Sequence, residues 1–255
     1  MRRYDANVET ESITRGAIEA LLTAIESRDL RAVRRALHPA VSWQNVPHPA
    51  AEGREAVIAL LASILCFSER VQWDVLQIAV EGTSASVERL DRFWLQGDEY
   101  AVACHGVFSV DTVTRTVMAV RDYVDLGEWR QRVNPVLAAM ASRHPLEVVT
   151  SHLEALRKGV PLAVASHYAL NATIDCATGS VFGWDEIADH FETLTTQSGL
   201  SALAWRSAEA DGAEGIAVDW RLSEGGDAMR SGRDYYEVRG GRIAYLNTTL
   251  PLSAS

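Results

Sequence analysis

The chain has 255 residues, 47% of them apolar, and a formal net charge of −10. That supply of apolar side chains fills one large core or two modest ones. The acidic balance excludes surfaces built on clustered Lys and Arg, so neither nucleic acid nor an anionic membrane is an expected partner. In chain order, apolar positions at helical spacing (Ile18, Leu21, Leu22 and Ile25, then Leu30, Val33 and Leu37) predict two helices over residues 13–37, broken near Ser27-Arg28-Asp29. Val41 to Val46 reads as a short strand stopped by Pro47 and Pro49, and Gly53 opens a helix from Ala56 to about Phe67. Four strands follow, over residues 71–80, 84–95, 100–110 and 116–124. Helices first and a meandering sheet afterwards define an α+β unit whose sheet curls around a helix-lined cavity.

The same order then returns. Residues 146–164 are again helical, and Ala165-Ser166-His167-Tyr168-Ala169 echoes Arg35-Ala36-Leu37-His38-Pro39. Val181 to Ile187 echoes Ala51 to Val57, Asp234 to Val238 echoes Gly106 to Val110, and Arg242 to Thr248 echoes Thr116 to Asp122. We read a tandem duplication, with domains over residues 1–140 and 141–255 and a polar joint at Ser142-Arg143-His144-Pro145. Two such copies are expected to form an intramolecular pseudo-dimer, with a homodimer as a further possibility. Cys66, Cys104 and Cys176 lie far apart without C-x-x-C spacing, so buried free thiols are expected and a zinc site is not. No span approaches the roughly 20 apolar residues of a membrane helix, and the N-terminus runs into Glu9, Glu11 and Arg15 where a leader would be apolar; a cytoplasmic location is the expectation.

Chemistry concentrates in the third and fifth predicted strands of the first copy. Alternation puts Arg89 and Asp91 on one face, with Glu88 and Arg92 on the other. If residues 116–124 pair in the same sheet, Asp122 faces that pair across an apolar pocket, while Arg121 and Asp125 point away. Two carboxylates held by one guanidinium give an acid and a base in one small space, which suits the opening of a strained ring by water. Such a pair shares one proton and titrates as a unit. Trp73, Phe93, Trp94 and Phe108 are core or pocket wall, and His48 and His105 are candidates for the cavity lining. In the second copy Asp122 lines up with Thr248, and Asp219 with Arg221 stands as a possible separate site.

Five landmarks in order (Trp43-Gln44-Asn45-Val46-Pro47-His48-Pro49, Gly53-Arg54-Glu55-Ala56-Val57, Glu88-Arg89-Leu90-Asp91, Gly106-Val107-Phe108 and Arg121 to Leu126) give residues 13–133 a likeness to limonene-1,2-epoxide hydrolases, within the SnoaL-like and NTF2-like superfamily. The second copy resembles the general superfamily fold only. The resemblance implies two tandem NTF2-like, cystatin-like cone domains, each a curved mixed or antiparallel sheet wrapped around helices. It also implies one-step hydrolysis of a mostly apolar epoxide to a vicinal diol, without a cofactor, in the first domain alone. Asp91 would protonate the epoxide oxygen, Asp122 would take a proton from water, Arg89 would bond both carboxylates, and Asn45 would hold the water. Two positions depart from the family pattern: Trp43 replaces a tyrosine, and Val120 replaces a tryptophan, which is expected to change the pocket volume. Indole donates a hydrogen bond but accepts none. A SnoaL-like cyclase that opens an epoxide intramolecularly, and a non-enzymatic small-molecule-binding protein, are the alternative readings.

Overall fold

The computed structural model describes residues 2–177, 179–197, 200–211, 215–223 and 229–250. The chain divides into two compact units, Met1–Leu137 and Ala138–Ser255. Unit one opens with α1 (Arg2–Ser27) and α2 (Leu30–Ala36), then β1 (Leu37–Asn45), β2 (Ala51–Glu52) and α3 (Arg54–Leu65). The break between the first helices has a local cause. Arg28 takes a left-handed φ of 58°, and the Asp29 carboxylate caps α2 by accepting from the Arg31 and Ala32 amides.

Four long strands follow: β3 (Arg70–Glu81), β4 (Ser84–Leu95), β5 (Asp98–Asp111) and β6 (Thr116–Val124). The sheet order is β2-β1-β6-β5-β4-β3. All pairs are antiparallel except β1 with β6, which run parallel with Trp43 opposite Val120 and Asn45 opposite Asp122. The mixed sheet thus brings the N-terminal strand beside the last one, which no local pattern specifies. Burial alternates along β4, with Ala85, Val87, Arg89, Asp91, Phe93 and Leu95 all buried. One face therefore lies against α1 and α3, whose Ile18, Leu21, Ile25, Val57, Ile58 and Leu61 complete the core. After β6, α4 (Leu126–Glu128) continues through one π-helical turn, Trp129–Val133, into α5 (Asn134–Ala141).

Unit two repeats the plan. It runs α6 (Pro145–Lys158), α7 (Pro161–Ala165), β7 (Tyr168–Cys176), β8 (Gly179–Phe182), α8 (Gly183–Gln197), a 3₁₀ turn, then β9 (Leu203–Asp211), β10 (Gly215–Ser223), β11 (Met229–Arg239) and β12 (Arg242–Thr248). Its sheet order, β8-β7-β12-β11-β10-β9, is that of unit one element for element. The molecule is α+β, made of two units with six-stranded mixed sheets, and among the described residues neither sheet closes into a barrel.

Three expectations need correction. The helix over residues 146–164 is two helices, because Gly159 caps α6 at a left-handed φ of 68° and Pro161 starts α7. Leu37 corresponds to Tyr168, not to His167: β1 meets β6 at Leu37–Val117 and β7 meets β12 at Tyr168–Ile243. Finally, Cys66 and Cys104 are buried but Cys176 is partly exposed.

Candidate active site

β4 carries Arg89 and Asp91 inward, and β6 carries Asp122 to the same face from two strands away. β5 lies between them, and it has Gly106 where its own inward side chain would fall: Gly106 pairs with Val87 on one side and Asp122 on the other. A Cβ at Gly106 would stand 2.4 Å from Arg89 Nη1 and 2.7 Å from Asp122 Oδ1. The missing side chain therefore lets the guanidinium reach across the strand.

Arg89 Nε donates to Asp91 Oδ1 at 2.8 Å, and Arg89 Nη2 lies 2.9 Å from Asp122 Oδ2. Arg89 is 1% exposed, Asp91 7% and Asp122 3%, so the ion cluster is enclosed by protein. Aromatic faces wall in the cation, with its central carbon 4.5 Å from the Trp73 ring centroid and 5.7 Å from that of Phe108. Burial disfavours the Arg89 charge, but Asp122 and then Asp91 outweigh it, and the guanidinium is held more firmly protonated than usual.

Asp91 behaves otherwise. Burial pushes its pKa up to about 7, reinforced by the negative charge of Asp122 and opposed by Arg89. Attraction to the arginine alone would depress that carboxyl; loss of hydration in the enclosed site reverses the sign. The group is thus half protonated near neutral pH, the condition for a general acid.

A cavity of about 220 Å³ opens over these residues. Asp91, Asp122, Cys104, Trp43, Trp73, Phe93, Leu61 and Ile64 line its inner part, and His48, Arg130 and Asn134, all exposed, stand at its mouth. Asn45 lines it as well. Trp43 does not point at open cavity with its polar edge: the indole Nε1 donates to Asp122 Oδ2 at 3.0 Å. That oxygen accepts from both Arg89 and Trp43, while Asp122 Oδ1 is buried with no partner in the structure. Arg89 Nη1 is likewise buried and unpartnered.

Other candidates fall elsewhere. His105 is exposed on the outer face and pairs with the Ser86 hydroxyl. Glu88, Arg121 and Asp125 are exposed, and Arg92 pairs outward with Asp74 and Glu99. Phe108 is core beneath Arg89, and Trp94 is a half-buried outer-face residue under Arg70. Val120 is buried and is not among the residues that line the cavity. The parallel register places it beside Trp43, so the two departures from the family pattern are neighbours.

In unit two the strand registers assign each counterpart. Trp220 stands where Arg89 does, Leu222 at Asp91, Thr248 at Asp122, and Asp234 at Gly106. Asp219 and Arg221 are exposed on the outer face, where Asp219 pairs with Arg233, so they form no buried site. Sequence reasoning missed Asp234, which is 4% exposed and accepts from Trp220 Nε1, Thr248 Oγ1 and the Thr249 amide at 2.8–2.9 Å. Its alternation with buried Tyr236 and Val238 was the available signal. The cavity beside it measures only about 10 Å³.

Residues 12–133 match the family model of the limonene-1,2-epoxide hydrolase catalytic domain. The matched stretch spans all six strands of unit one. Among solved structures, the chain is similar to an LEH-like epoxide hydrolase of M. tuberculosis, at 24% identity over 51% of this chain and 95% of that one, with a TM-score of 0.42. A candidate SnoaL-like polyketide cyclase from Shewanella denitrificans aligns at 10% identity over 48% of this chain and 98% of its own, with a TM-score of 0.43. An NTF2-like protein from Burkholderia xenovorans aligns at 12% over 48% and 95%, with a TM-score of 0.40. No curated protein matches the chain. Among the described residues no helix is long and apolar enough to cross a membrane.

Proposed function

We propose that unit one is an epoxide hydrolase of the limonene-1,2-epoxide hydrolase kind and opens a mostly apolar epoxide with water to give a vicinal diol. The observation that carries this reading is the buried Asp91–Arg89–Asp122 cluster at the inner end of an aromatic-lined cavity. Asp91 in its protonated form donates to the epoxide oxygen as the carbon–oxygen bond breaks. Water held at the cavity wall between Asp122 and Asn45, which stand opposite each other on the paired strands β6 and β1, attacks the carbon from the opposite side and gives its proton to Asp122. Asp91 ends ionised and Asp122 protonated, so one proton must pass back to Asp91 by exchange with solvent before the next turnover. Ring strain supplies driving force and the two side chains supply proton transfer, so the chemistry calls for no metal or organic cofactor.

Unit two, in this reading, is non-catalytic. Trp220 and Leu222 replace the guanidinium and the acid, and Asp234 has its acceptors filled by neutral donors.

The test is turnover of a panel of lipophilic epoxides in ¹⁸O-labelled water by the folded protein. The reading expects diol with one labelled oxygen; no diol across a broad panel is the result that overturns it. One observation favours a second reading. Trp43 donates to the base and accepts nothing, so it contributes no acceptor for water, and a hydroxyl of the substrate itself would then be the nucleophile. A cyclic ether free of label marks that outcome.

A further inference from the structure

The cavity mouth differs in chemistry from its interior. Inside, the surfaces are Trp73, Phe93, Leu61 and Ile64; at the rim stand Arg130, His48 and Asn134. Arg130 sits on the π-helical turn, exposed, and among the described residues no carboxylate pairs with it. Arg132, two residues on, is by contrast paired with Glu128. Among the described residues the one partner of Arg130 is His48, whose Nε2 lies 3.3 Å from Nη2. A guanidinium only donates, so in this contact Nε2 is the accepting nitrogen. His48 is itself fixed, its amide donating to the Asn45 carbonyl and its carbonyl accepting from Gln44. In a chain of net charge −10, a cation without a carboxylate beside an apolar cavity has its planar donor face open to a ligand.

The geometry points to an anionic terminus on the substrate: we propose that Arg130, seated against His48, selects epoxides that carry a carboxylate at the end remote from the ring. This deepens the hydrolase reading and rests on it for the word substrate. The cavity of about 220 Å³ is below the roughly 300–1,000 Å³ of ordinary ligand pockets, so a ligand that fills it extends to the rim. The epoxide would then lie at Asp91 and Asp122, the hydrocarbon against the aromatic wall, and the carboxylate at Arg130.

The test separates this from the chemistry by using products. A short-chain dihydroxy acid and its primary amide are titrated calorimetrically into wild-type protein and into Arg130→Gln and Arg130→Lys variants, each confirmed folded by circular dichroism. The expected result is a wild-type preference for the acid of about tenfold, lost in Arg130→Gln, partly kept in Arg130→Lys and weakened by added salt. Equal affinity for acid and amide, no measurable binding of the acid, or a preference that survives Arg130→Gln overturns the proposal. Turnover of the matching epoxy acid and epoxy amide is scored separately. If neither is hydrolysed while the acid preference holds, the hydrolase reading fails and the carboxylate site stands.

Discussion

At the scale of single residues, the site turns on a competition between hydration and charge. A carboxylate 2.8 Å from an arginine in water would be ionised well below neutrality; Asp91 instead sits at about 7 because burial outweighs the arginine. If its proton starts the reaction, activity is full below that value and declines as pH rises through it. A pH profile of kcat/KM is expected to show an alkaline limb near 7 that belongs to the coupled acid cluster; a rate flat from pH 6 to 9 removes Asp91 as the acid. Asp91→Asn keeps the shape but carries no transferable proton, and a loss on the order of 10²- to 10⁴-fold is expected in steady-state turnover. Trp43→Phe removes a donor from Asp122 and leaves a cavity of similar size. Its expected signature is a change in the position of the pH limb with little change in thermal stability, read by the same profile and by calorimetry.

At the scale of elements, the strand between the two charge-bearing strands is what makes the cluster possible. Gly106 on β5 gives Arg89 a path to Asp122, and Gly106→Ala would put a methyl within 2.4 Å of Nη1. The guanidinium then has to give way, and we expect a loss of roughly 1–3 kcal/mol in denaturant unfolding together with reduced turnover; an unchanged variant would show that the arginine is not confined there. Much of this geometry was legible beforehand. Alternation put Arg89 and Asp91 together, and both charge-bearing strands were bounded correctly, because period-two burial is written directly in the residues. The parallel β1–β6 pairing was not, since it depends on a long-range register, and it is this pairing that brings Trp43 to Asp122 and Val120 beside Trp43. The raised pKa of Asp91 was equally hidden, for the balance between burial and the arginine depends on enclosure. Asp234 escaped notice for another reason: the echo of residues 106–110 in 234–238 was seen, but its first member changes from the smallest residue to an acid.

At the scale of the whole molecule, one topology carries two kinds of buried polar group, and they titrate in opposite senses. In unit one Asp91 is raised from 3.8 to about 7 on folding. Its contribution to stability is fully present below 3.8 and is lost as pH rises through 7. In unit two His152 is 1% exposed among Tyr168, His167, Phe191 and Tyr236, and its Nδ1 has no partner. Burial, helped by His167, depresses its pKa well below 6.5. The unfolded chain therefore binds a proton below pH 6.5 that the folded one refuses, and unit two loses stability as pH falls through that value. Asp234, raised by burial, opposes this at lower pH, so the histidine is isolated by difference. Scanning calorimetry of the intact chain at pH 7.5 and 5.5 is expected to show that His152→Phe weakens the acid sensitivity of one transition, whereas Asp91→Asn alters the pH dependence of the other. If both substitutions act on the same transition, the two domains unfold as one cooperative body and the opposed slopes cancel within it. If His152→Phe leaves every transition as acid-sensitive as before, the neutral buried imidazole is not what limits unit two in acid.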